Sequence, residues 1–139
     1  MKSLSIPDGL EEYRLNDRVT VRFNPTDMNF LEKLAAAFEK LDALQEEVRA
    51  SRETITDERE VFPLARDLDA KMRAILNELF DAEICEPIVG SMNLFASSGG
   101  LPVWANLMLA IADEVQASMD SELKQREARI RKYTEKYRV

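Results

Sequence analysis

Apolar residues follow a period of two near the N-terminus and a helical period from residue 26 onward. The run Val19-Thr20-Val21-Arg22-Phe23 alternates apolar and polar positions, and the preceding run ends at Asn16-Asp17. Alternating β-branched and aromatic residues are typical of a strand with one buried face, and Asn and Asp tolerate left-handed turn geometry. We predict a β-hairpin in residues 1–25. Because an isolated hairpin is marginal in water, it must pack on helices or on another chain.

Beyond Pro25 the apolar residues recur every three or four positions, which predicts long amphipathic helices. Thr26 is the expected N-cap of the first helix, whose apolar stripe has members seven residues apart: Leu34, Leu41, Val48 and Ile55. The segment Thr54-Ile55-Thr56-Asp57 interrupts this pattern and offers Asp57 as the next cap. A second stripe, Val61 to Leu79, follows, so the two helices should form an antiparallel hairpin.

The residue pattern in the last third of the chain predicts a short helix, a loop and a long helix. Residues 80–90 form the expected short helix, which Gly90 closes, and residues 91–100 are the most loop-like stretch. Leu101-Pro102 opens the last helix, which buries Trp104 and continues to the C-terminus. We therefore predict a mainly α fold, with an N-terminal β-hairpin followed by a bundle of three long helices and one short helix. A single domain of residues 1–139 would comprise a hairpin arm (1–25), a helical body (26–119) and a projecting basic helix end (120–139).

Composition excludes most catalytic chemistry. The 139-residue chain has no histidine and one cysteine, which removes His-based triads, zinc fingers and intramolecular disulfides. Asp67 and Asp69 are two residues apart and therefore point to different sides of a helix. Gly99-Gly100 is more simply a flexible connection than an anion site, and Cys85 lies among apolar residues, where a packing role is favoured. We expect no enzymatic activity and no catalytic residue, cofactor or metal.

Charge is distributed unevenly along the chain. Residues 121–139 contain seven Lys/Arg and three Glu, a net charge of +4, whereas residues 1–120 contain twelve bases and twenty-three acids, a net charge of −11. The cations can simply complement a helix C-terminus and form pairs such as Glu127–Arg131. They can also dock this helix on an acidic surface of a partner or of a second copy. Both interpretations stay open at this stage.

Two groups of residues are candidate partner contacts. Met92, Leu94 and Phe95 lie beside the glycine-bearing loop, where exposed apolar side chains would make an adaptable contact. The second group lies on the basic helix end and combines cations with a thin apolar stripe: Arg126, Arg129, Ile130, Tyr133 and Tyr137. The N-terminus lacks the apolar core of a signal peptide, and no apolar run approaches the roughly 20 residues of a membrane span. We expect a cytoplasmic protein that binds neither membrane nor nucleic acid.

Three segments together resemble a known family: residues 19–27, where a strand leads into a helix; residues 79–90, with Phe80, Cys85 and Gly90; and Leu101 to Asn106. The set is similar to the tail assembly chaperones of siphophages and prophages of Gram-positive bacteria, which are encoded just before the tape-measure protein. The resemblance spans residues 10–115, and its motifs are structural. It carries over no catalytic residue.

The resemblance implies a specific role. Such chaperones coat the long helical tape-measure protein while the tail tube polymerises, so the tape-measure protein is the expected partner and the tail tube protein a second contact. Some are made in a short and a frameshifted longer form, and this chain would be the short one, in the bacterial host cytoplasm and self-associating as a homo-oligomer. Alternatives are a head–tail connector or completion protein and an oligomeric helical interaction module. An Arg-rich nucleic-acid module is disfavoured by the acidic remainder of the chain.

Overall fold

The structure is a computed structural model that describes residues 1–137. It begins with the predicted β-hairpin, in which β1 (Glu11–Leu15) pairs antiparallel with β2 (Val19–Phe23). Asn16 and Asp17 both adopt left-handed backbone geometry, with φ of 51° and 55°, as expected for residues that tolerate it. The hairpin is attached to the helices by its apolar face, because Val21 and Phe23 are buried.

The two long helices that follow confirm the heptad pattern. Helix α1 (Met28–Thr54) buries Leu34, Leu41 and Val48, and α2 (Glu58–Phe80) packs along it after a short turn. Asp57 caps α2 as predicted, accepting a hydrogen bond from the Arg59 N–H at 3.0 Å. The predicted cap of α1 is wrong by one residue, since Asp27 accepts from the Asn29 N–H at 3.0 Å.

The predicted short helix is shorter than expected. Helix α2 ends at Phe80, followed by Asp81 as its cap in left-handed geometry, and α3 spans only Cys85–Val89, closed by Gly90 with φ of 57°. The side chain of Asn77 organises the turn between them, accepting hydrogen bonds from the backbone N–H groups of Ile84 and Cys85. The Asn77 side chain therefore fixes the start of α3, a role that no periodic pattern in the sequence predicts.

The predicted loop contains a small antiparallel ladder. Strand β3 (Ser97–Ser98) pairs with β4 (Leu101–Pro102) around Gly99-Gly100, whose φ angles of 65° and 88° require glycine. The last helix, α4 (Val103–Lys136), consequently begins after Leu101-Pro102 and not with it. The ladder thus sets the point at which α4 leaves the loop.

One hydrophobic core joins these elements. Leu41 of α1, Met72 and Leu76 of α2, and Met108 of α4 have no exposed surface. An aromatic cluster attaches the hairpin to it, with Phe23 stacked between Tyr13 at 4.6 Å and Phe30 at 4.4 Å. The mainly α fold with an N-terminal hairpin, three long helices and one short helix is confirmed.

Candidate partner-binding surface

Helix α4 continues well beyond the part of it that is buried in the core. Its 34 residues correspond to a length of about 50 Å, yet its buried residues all lie between Trp104 and Val115. Every described residue of the basic helix end, 120–137, is exposed. Half of the helix therefore lies outside the core of the chain.

The apolar stripe of α4 does not stop where the core stops. Spacings of three and four residues connect its buried members, Trp104, Met108, Ile111 and Val115, to the half-buried Met119. The same spacings continue through the basic helix end at positions 123, 126, 130, 133 and 137. Residues spaced in this way share one helix face, so the face that packs on the body emerges into solvent as a continuous stripe.

The exposed stripe is largely apolar. Leu123 is 50% exposed, Ile130 58%, Tyr133 54% and Tyr137 66%. The two tyrosine rings are stacked with their centroids 6.1 Å apart, and the Lys136 ammonium lies 5.6 Å from the centroid of the Tyr137 ring. Large side chains exposed in a row along one helix face mark an interaction surface more often than scattered ones do. We call residues 123, 126, 130, 133 and 137 the terminal stripe.

The cations beside the terminal stripe form no ion pair within the described residues. The ion pairs found within residues 1–137 involve Arg49, Arg59 and Arg73, and none involves a cation of the basic helix end. The pair Glu127–Arg131, which the sequence suggested, does not form. The positive charge of this helix end is therefore free to attract a partner, at the weak level typical of exposed charges.

The structure separates the three candidate contacts beside the loop. Met92 is 52% exposed and Phe95 is half-buried, but Leu94 is only 2% exposed and belongs to the core. The prediction that Leu94 contacts a partner is therefore wrong, because its side chain packs inside the chain. Met92 remains the one side chain of this group that is largely open to solvent.

A polar network within the helical body explains the burial of Leu94. The carboxylate of Asp69 accepts hydrogen bonds from the Leu94 N–H at 2.7 Å and from the Arg73 Nε at 2.9 Å. Arg73 in turn donates to the carbonyls of Gly90 and Met92, each at 2.8 Å. One ion pair on α2 thus fixes both sides of the loop and holds Leu94 against the core.

The surface also carries several grooves, two of them wide. One of about 630 Å³ lies between residues 7–11, residues 24–26 and α4, and it includes Glu114 and Arg129. The other, of about 550 Å³, lies at the turn between α1 and α2 beside Phe62, which is 61% exposed. Sequence reasoning missed Phe62 and Leu123 as candidate contacts. Both residues could have been recognised from the sequence, because Phe62 lies off the apolar stripe of α2 and Leu123 lies seven residues before Ile130.

The thiol of Cys85 is not activated. Cys85 is buried, and this burial raises the pKa of its thiol to about 11, which keeps it protonated and unreactive. Within residues 1–137, no group of three or more Cys, Asp and Glu side chains is arranged to hold a metal ion. Among those same residues, no helix combines the length and the apolar character needed to cross a membrane.

Comparison with known proteins adds no relative. No family model, no curated protein and no solved structure matches this chain.

Proposed function

We propose that this chain is a non-enzymatic phage tail assembly chaperone-like protein that binds the tape-measure protein while the tail tube assembles. The observation that carries the proposal is the terminal stripe, a largely apolar helix face open to solvent over about the last four turns of α4. The resemblance of residues 10–115 to such chaperones names the partner. Self-association, a bacterial cytoplasmic location and contact with the tail tube protein remain predictions of the same proposal.

The physics of helix association supports this role. An amphipathic helix gains most of its stability by burying its apolar face against other elements. A long helical client exposes such faces until it is assembled, and a groove or stripe with apolar side chains at helical spacing is the surface that covers them. The terminal stripe offers Leu123, Ile130 and Tyr133 for that contact while the body keeps its own core intact.

Co-expression with segments of the tape-measure protein tests the proposal. The client is the product of the very long, helix-rich reading frame expected immediately downstream, and the readout is the soluble fraction of each segment and its co-purification with this chain. We expect capture by the unaltered chain and loss of capture with Ile130→Glu, which places a charge in the terminal stripe.

A matched control separates the stripe from general charge effects. Ala128 is exposed and lies on the side of α4 opposite Ile130, so Ala128→Glu adds the same charge outside the stripe and should preserve capture. A chain that is strictly monomeric and leaves every tape-measure segment insoluble would refute the proposal.

A further inference from the structure

The charges beside the terminal stripe differ along its length. The terminal stripe, together with the preceding Met119, can be written as a heptad with two rows of core positions. One row contains Leu123, Ile130 and Tyr137, and the other contains Met119, Arg126 and Tyr133. Positions beside such a seam set the choice and orientation of a partner helix. One flank carries Glu122, Arg129 and Lys136, and the other carries Asp120, Glu127 and Thr134.

Parallel pairing of two basic helix ends is unfavourable. In that arrangement each core position meets its own copy, so the two Arg126 guanidinium groups would face each other inside the seam. On the flanks, Glu122 of each helix would lie opposite Glu127 of the other helix, which gives two repulsive contacts. Like charges in these positions oppose association.

Antiparallel pairing is little better. The flank positions then face their own kind, so Arg129 meets Arg129 and Glu127 meets Glu127 at the centre of the pair. Glu122 and Lys136 form two attractive contacts, one at each end, and these do no more than offset the two repulsions. The apolar stripe is therefore suited to a helix, while its charges provide no net attraction for a second copy of the same helix.

We infer that the terminal stripe binds an acidic amphipathic helix of a partner protein, with Asp or Glu beside its apolar row. An acid opposite Arg126 and further acids along the flank of Arg129 and Lys136 would meet cations that lack an internal ion partner in the described chain. This inference rests on the proposed function, because it names the kind of client segment that the chain would hold. The described part of the basic helix end, 18 residues from Asp120 to Tyr137, covers about 27 Å of such a helix.

Two synthetic helical peptides test the charge preference on the full chain. Both have about 21 residues with one apolar row, and they differ only in carrying Glu or Lys along the one flank that would face Arg129 and Lys136. Fluorescence anisotropy measures binding at about 0.05 M and about 0.5 M salt. At low salt we expect the Glu peptide to bind about ten times more tightly than the Lys peptide, and the ratio to shrink at high salt. Equal affinities for the two peptides would overturn the inference.

Paired charge reversals locate the preference on the helix. Arg126→Glu with Arg129→Glu should reverse the order of the two peptides. Lys124→Glu with Arg131→Glu makes the same change in net charge outside the stripe and outside the flank of Arg129 and Lys136 and should preserve it. If this second pair reverses the order as well, the preference comes from overall charge and the inference fails.

Two further outcomes distinguish this inference from the proposed function. If light scattering shows a dimer that Ile130→Glu converts to a monomer, the stripe is occupied by a second copy and the inference is overturned. Tape-measure capture that survives Ile130→Glu would overturn the inference and leave the chaperone function standing. Preference for the Glu peptide without any tape-measure capture would support the inference and refute the chaperone function.

Discussion

Removal of the Asp69 carboxylate should detach the loop that buries Leu94. Asp69 lies in α2 with its side chain 15% exposed, and its ion-pair partner Arg73 is 19% exposed. In Asp69→Ala, the Leu94 N–H and the Arg73 Nε both lose their acceptor. The matched control is Asp67→Ala, because Asp67 is exposed on the same helix two residues away.

The expected loss follows from these two hydrogen bonds. A hydrogen bond to a charged group contributes about 1.5–3 kcal/mol, so two of them set an upper limit near 6 kcal/mol. Arg73 retains the carbonyls of Gly90 and Met92 and the carboxylate of Glu86 at 3.7 Å, and water reaches the opened site. We therefore expect Asp69→Ala to lower the free energy of unfolding by about 2–4 kcal/mol, against less than about 0.5 kcal/mol for Asp67→Ala.

Urea denaturation followed by circular dichroism measures both variants. Tryptophan fluorescence provides a second signal, since the backbone N–H of Trp104 donates to the Leu94 carbonyl at 3.3 Å and ties the fluorescent residue to the same loop. If Asp69→Ala and Asp67→Ala lose the same amount of stability, the carboxylate does not hold the loop. The structural explanation for the burial of Leu94 would then be refuted.

Four other outcomes are expected. Deletion of residues 121–139 should change the free energy of unfolding by less than about 0.5 kcal/mol in urea denaturation, because the described part of this segment makes no core contact. Burial and the hydrogen bond to Glu114 raise the pKa of Tyr13 from 10.0 to about 12. The contribution of this shift to the free energy of unfolding is complete below pH 10 and is lost as the pH rises towards 12. The variant Tyr13→Phe should therefore lose less stability over this pH range when urea denaturation is repeated at each pH. Cys85, whose pKa is raised to about 11, should react with a thiol reagent at pH 8 far more slowly in the folded than in the urea-unfolded chain. Gly90→Ala should cost about 1–2 kcal/mol in urea, since φ of 57° is strained for alanine although open space surrounds the position.

The elements with periodic patterns could be predicted from the sequence. Alternation at Val19–Phe23 and heptad spacing from Leu34 to Val48 each report on a face that must be buried, and both faces are buried. Local capping chemistry was read correctly at Asp57. It was wrong at Thr26, because Asp27 is an equally good cap one residue later and the Asn24 side chain accepts from the Thr26 N–H and hydroxyl instead.

The candidate surface was predictable only in part. The basic helix end was visible as a charge asymmetry, since charge and helical spacing are both properties of nearby residues. Leu94 was misplaced because its burial depends on Asp69, 25 residues away, and no local pattern records such a contact. No local pattern records the contact of Tyr13 either, because its hydroxyl donates to Glu114, 101 residues away in the sequence.

The sequence by itself determined the hairpin, the three long helices and the two opposite charges of body and tail. These features depend on side-chain periodicity and composition, which neighbouring residues encode. Only the tertiary structure decided where the core ends along α4, and hence that Val115 is buried while Ile130 is exposed on the same stripe. The reason is physical: both residues have the same local pattern, and burial is set by whether another element reaches that part of the helix.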